Sequence, residues 1–132
     1  MAERYFSPEE VEALIPELTV IMAELMERNA EASGLRERVH EERARLSMVG
    51  GGMPAGSWRE DAARLERLTS DIQQRLQRIA ELGGVPKDLT TGLVDFPHLR
   101  DGREVNLCWK HGERTIEYWH GLDEGFAARK RL

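Results

Sequence analysis

The chain has 132 residues, 40% hydrophobic and 33% charged, a size and balance that fit one domain or a compact unit with one extended element. The net charge of −5 lies wholly in residues 1–49, with 11 acids against 6 bases, and the remaining residues hold 13 of each, so no basic stripe recommends nucleic acid as a partner. A single cysteine, Cys108, excludes an internal disulfide framework, and the absence of a signal-type leader or of ~20 consecutive apolar residues points to a cytoplasmic protein with no membrane contact.

"SPEE" at 7–10 predicts a helix start, with Ser7 as N-cap, Pro8 in the first turn and Glu10 completing a capping box. Apolar residues then recur as heptads. One seam position reads Val11, Leu18, Leu25, Ala32, Val39 and Leu46. The other reads Leu14, Ile21, Arg28, Leu35, Glu42 and Val49. The register passes Ser33-Gly34 without slipping, which predicts one helix over about 8–48. Pro16 is expected to kink its early turns.

"GGGMPAG" at 50–56 predicts a flexible connection. Ser57 and Glu60 form a second capping-box pattern. The following helix, 57–82, carries Leu65, Leu68, Ile72, Leu76, Ile79 and Leu82 and stops at Gly83-Gly84. The short connection makes the two helices an antiparallel hairpin. Their lengths differ, about 60 Å against about 39 Å at ~1.5 Å per residue. The surplus apolar stripe calls for another partner, and a second copy of the chain is the simplest one. An acidic helix face over 9–42 that binds a basic partner is a further reading.

From Leu93 the period changes to alternation. Asp101-Gly102 and His111-Gly112 both read as two-residue hairpin turns. The first pairs Phe96 with Leu107 and His98 with Val105. The second pairs Leu107 with Ile116 and Val105 with Tyr118. Both registers give one apolar face of Val94, Phe96, Val105, Leu107, Trp109, Ile116 and Tyr118. The expected architecture is α+β: a long helical hairpin over 1–86, then a three-stranded antiparallel meander over 87–132 packed on the helices, with a short C-terminal turn or helix.

"YWHGLDEGF" at 118–126 gathers the residues most suited to chemistry. The register puts His98 and His120 on the core face at the same end of the sheet, followed by Asp123 and Glu124. Imidazole and carboxylate donors of this kind bind divalent transition metals, so His120, Asp123, Glu124 and His98 are candidate ligands. The alternative reading makes His120 a boundary residue bonded to backbone, Asp123 a cap for the last turn, and Phe126 an apolar anchor. Asp95 is expected to face away from the core, opposite Cys108, where its charge raises the thiol pKa rather than activating it. Cys108 is thus structural. Glu37 and His40 have the Glu-x-x-His spacing of helical di-iron sites, but the second helix offers no matching motif, so a solvated face accounts for them.

"GLVDFPHLRDGREVNLCWKHGE" with "YWHGLDEGFAARKRL" resembles a bacterial family of domains of unknown function, the one numbered 2203. The segments that carry the resemblance are Gly92 to Pro97, Leu107 to Trp109, Gly112-Glu113, Trp119-His120, Gly125-Phe126 and Arg129, within residues 87–129. It implies that Asp95, Trp109, His120 and Arg129 belong to the family pattern, and it brings no known reaction. Trp119 joins them as a functional candidate. The functional expectation is a non-enzymatic, oligomeric interaction or scaffold module with an unidentified protein partner and no cofactor; the alternative is a metal-binding protein or metal-dependent enzyme near His120, Asp123, Glu124 and Asp95 or His98.

Overall fold

The structure is a computed structural model that describes residues 2–49 and 56–132. The glycine-rich connection expected at 50–56 falls mostly outside the described residues, and so does the side chain of Ser57. Two helices, α1 (Pro8–Val49) and α2 (Gly56–Leu82), precede five strands: β1 (Val85–Asp88), β2 (Leu93–Arg100), β3 (Arg103–Lys110), β4 (Tyr118–His120) and β5 (Lys130–Arg131). A 3-10 turn, Phe126–Ala128, stands between the last two strands.

Helix α1 begins where its capping chemistry dictates. Glu10 N–H donates to Ser7 Oγ at 3.1 Å, and Ser7 N–H donates to Glu10 Oε1 at 2.9 Å, so two helix-end donors are satisfied reciprocally. The helix is continuous through Pro16 and through Ser33-Gly34. Gly34 has open space around its Cα, so this weak helix former sits on the solvent side while Ala32 and Leu35 are buried beside it. Helix α2 stops at Gly83, whose φ of +99° favours glycine. Gly84 N–H donates to Ile79 O and Gly83 N–H to Ala80 O, both at 3.0 Å, which closes the last turn as a Schellman motif.

Ion pairs fix how the helices lie. Glu17 meets Arg78, Glu24 meets Arg75, Arg28 meets Asp71, Glu31 meets Arg64 and Arg38 meets Asp61. The α2 partners descend as the α1 numbers rise, so the hairpin is antiparallel. These pairs are largely exposed and add little stability; they set register while the apolar seam supplies the energy. Arg28, expected as a charge in the seam, is only half-buried and pairs with Asp71 at 3.5 Å.

As far as Val39 the apolar stripe of α1 is covered within one chain. Val11, Leu18, Leu25, Ala32 and Val39 are all buried. Phe6, Val11, Ile15 and Met22 share a continuous core with Val94, Phe96, Leu107, Trp109 and Ile116 of the sheet half, and with Leu68, Ile72 and Ile79 of α2. The extra length of α1 at its amino end therefore serves the sheet, which removes the first motive for a second chain along the stripe.

The sheet has five strands in meander order, not three. β1 adds one edge and β5 the other. The β2–β3 register is the expected one, with Phe96 opposite Leu107, His98 opposite Val105 and Asp95 opposite Cys108. Asp101 (φ 52°) and Gly102 (φ 79°) make the expected tight turn. The β3–β4 register differs. Leu107 pairs with Trp119 and Asn106 with His120, three residues away from the expected pairing. An odd slip turns every β4 side chain to the opposite face. Trp119 thus packs on the core, whereas Tyr118 and His120 lie on the second face, the reverse of the expectation.

The cause lies in the loop between them. His111-Gly112 opens a longer connection in place of a two-residue hairpin. Glu113 folds back so that Lys110 N–H donates to its Oε1 at 2.7 Å and the Trp109 indole N–H to its carbonyl at 3.0 Å. Ile116 N–H, expected to pair with β3, donates instead to Glu12 Oε1 of α1 at 2.9 Å.

Candidate functional site

The second face of the sheet holds the polar centre of the molecule. Asp95 comes from β2, Cys108 from β3 and His120 from β4, and each is 2% exposed. Cross-strand pairing places Asp95 beside Cys108, and the β4 register brings His120 onto the same face. His120 Nε2 lies 3.1 Å from Asp95 Oδ1, and Nδ1 lies 2.8 Å from Gly121 O. The three potential donor atoms of Asp95, Cys108 and His120 all fall within 4.8 Å of one another.

Hydrogen-bond valence constrains this cluster. A carbonyl oxygen only accepts, so Nδ1 carries the proton directed at Gly121. Nε2 then faces a carboxylate oxygen. A hydrogen bond between the two needs one proton shared by Nε2 and Asp95. Cys108 adds a thiol that hydrogen-bonds to the same carboxylate. Burial first, then the charge of Asp95, pushes this thiol up to about 12. It is a resting thiol.

The C-terminal segment closes the face. An Arg129 NH2 nitrogen bonds both Glu113 carboxylate oxygens at 2.8 Å and donates to Cys108 O at 3.2 Å. The Arg129 guanidinium also lies over Tyr118 at 4.1 Å and Phe126 at 4.7 Å. Leu132 N–H donates to Glu117 O at 2.9 Å, which ties down the end of the strap. Arg129 is thus the pin of a clasp, and Glu113, present in the resemblance only within the Gly112-Glu113 segment, is its socket. A Gly-Glu dipeptide after a strand gives too little signal to reveal such a partner.

The other candidate residues lie elsewhere. His98 stays at the edge of the core face, its Nδ1 2.6 Å from Phe6 O, where it holds the amino-terminal segment. Asp123 is exposed and does not cap the 3-10 turn, which has Gly125 at its N-cap with no side-chain bond. Glu124 accepts from Gly121 N–H at 2.7 Å and from Lys130 at 2.6 Å, and its carboxylate makes no hydrogen bond to the His120 ring among the described residues. The set His120, Asp123, Glu124 and His98 is therefore not brought together; Asp95 and Cys108 stand beside His120 instead. Phe126 is 42% exposed and serves Arg129 rather than a core. Trp109 is fully buried, and Trp119 lies between Arg100 at 4.8 Å and Lys130 at 4.7 Å. Glu37 and His40 are exposed on α1. No described helix is long and apolar enough to cross a membrane.

Comparison with curated proteins and with solved structures finds no match. A family model described as "Uncharacterized conserved protein (DUF2203)" matches residues 4–132, so the likeness carried by the C-terminal motifs extends through both helices. The whole molecule, hairpin and clasped sheet together, belongs to the DUF2203 family.

Proposed function

We propose that this protein is a non-enzymatic interaction module that self-associates through the free end of its helical hairpin. The carrying observation is how α1 ends. Among the described residues Arg38 pairs with Asp61 and Arg43 lies over the Trp58 ring at 4.9 Å, and beyond these contacts α1 runs on to Val49. On this last stretch of α1 Leu46 is half-buried and Met48 is 88% exposed, an adaptable apolar side chain among charged neighbours. Catalysis is the weaker reading. Asp95, Cys108 and His120 are sealed beneath the strap, so a substrate has no access to the cluster that carries acid, base and thiol together. A lone thiol with no disulfide partner suits the cytoplasm.

Light scattering at tens of micromolar protein tests the reading. A dimer or larger species is expected, reverting to monomer in Leu46→Glu/Met48→Glu with its helix content unchanged. A strict monomer over that range overturns it.

A further inference from the structure

We infer that Asp95, Cys108 and His120 form a buried binding site for a divalent transition metal of the zinc type, held between β2, β3 and β4. Three donors of different chemistry converge from three adjacent strands, with all donor atoms within 4.8 Å. Asp95 Oδ1 and His120 Nε2 are 3.1 Å apart, close to the ~3.4 Å edge of a tetrahedron built on bonds of about 2.1 Å. The separation expected of two ligands on one ion and that of a hydrogen bond nearly coincide here, so a second observation is needed.

His120 supplies it. Its Nδ1–H is directed at Gly121 O at 2.8 Å, the outer-shell bond that fixes the tautomer of a metal-bound histidine and aims the Nε2 lone pair inward. What lies inward is a carboxylate and a sulfur, both Lewis bases. Arg129, the cation pinned across this face, directs its hydrogen bonds to Cys108 O and Glu113, and its charge reaches the Cys108 thiol only through space. A divalent ion answers this convergence of electron pairs. One carboxylate and one thiolate also neutralise its charge, so the loaded centre carries none into the interior.

The donor set selects the ion. Calcium and magnesium take all-oxygen shells and leave a thiolate unused. Mixed sulfur, nitrogen and oxygen donors suit zinc, with cobalt as a spectroscopic substitute, and water completes the fourth position. Binding forms metal–sulfur, metal–nitrogen and metal–oxygen bonds. The thiol proton of Cys108 and the proton shared by Asp95 and His120 leave to solvent, and no electron is transferred. Because each ligand is 2% exposed, the ion enters as the chain folds.

The test uses the full chain without an affinity tag, unfolded with chelator, refolded with Co²⁺ or Zn²⁺ alone, and desalted. Stoichiometric retention is expected. The cobalt form should show the ligand-field bands of a tetrahedral ion and a thiolate-to-cobalt charge-transfer band. Cys108→Ser, which replaces only sulfur by oxygen, should lose the charge-transfer band and weaken retention at least tenfold. His120→Ala should abolish retention; should it fail to fold, the Cys108→Ser spectrum decides. Refolded wild-type protein that retains no ion overturns the proposal and leaves an Asp–His pair alone. Equal retention by wild type and Cys108→Ser overturns it too, because the ion then sits elsewhere.

Discussion

The imidazole of His120 is held from two sides, by Gly121 O at 2.8 Å and by Asp95 at 3.1 Å, in a place with almost no solvent. Removing one partner of such a pair strands the other without hydration, which costs far more than the pair contributes when intact. In metal-stripped protein, His120→Ala and Asp95→Ala should each lower stability by about 3–5 kcal/mol in urea unfolding. The double variant should cost clearly less than the two separately, because it leaves no orphan. Cys108 gives a second residue-scale outcome. With its thiol pushed up to about 12 and buried, it should react with a thiol reagent at neutral pH only as fast as the protein opens. Rapid labelling of folded protein would contradict that burial.

At the scale of elements, the ends of the helices are governed by local chemistry. Ser7→Ala should cost about 1 kcal/mol through loss of the N-cap. The Ser7 N–H first, then Arg4, holds the Glu10 carboxyl below its ordinary range. A lowered folded pKa gives stability that is present above the unfolded value and is lost as pH falls through the folded one. Glu10→Gln should therefore narrow its gap to wild type on acidification, measured by unfolding at neutral and acid pH. At the end of α2, a Cβ on Gly83 would run into the Phe6 ring, at a φ of +99°. Gly83→Ala should cost about 1–3 kcal/mol, more than an unstrained glycine replacement, and a neutral effect would refute the close approach of Phe6.

One core runs through the whole molecule, from Phe6 and α1 into α2 and across to the sheet. Leu25 lies in it fully buried, so Leu25→Ala should cost about 2–5 kcal/mol. Helical circular dichroism and, in a Trp58→Phe background, the fluorescence of the sheet tryptophans Trp109 and Trp119 should fall in one coincident transition, before and after the change, because neither half has a core of its own. Separate transitions would show that the hairpin and the sheet fold independently.

What the sequence determined alone is what short-range chemistry encodes: the capping box at Ser7, the heptads through Gly34, the stop at Gly83 and the β2–β3 register set by Asp101-Gly102. It also placed Asp95 opposite Cys108. The position of His120 was decided at long range, where Glu12 of α1 takes the Ile116 N–H and β5 takes the far edge of β4. The first of these bonds joins residues 104 positions apart, and together they outweigh the local preference of a His-Gly turn. Because side chains alternate along a strand, that one choice of register moved His120 off the core face and set it against Asp95 and Cys108.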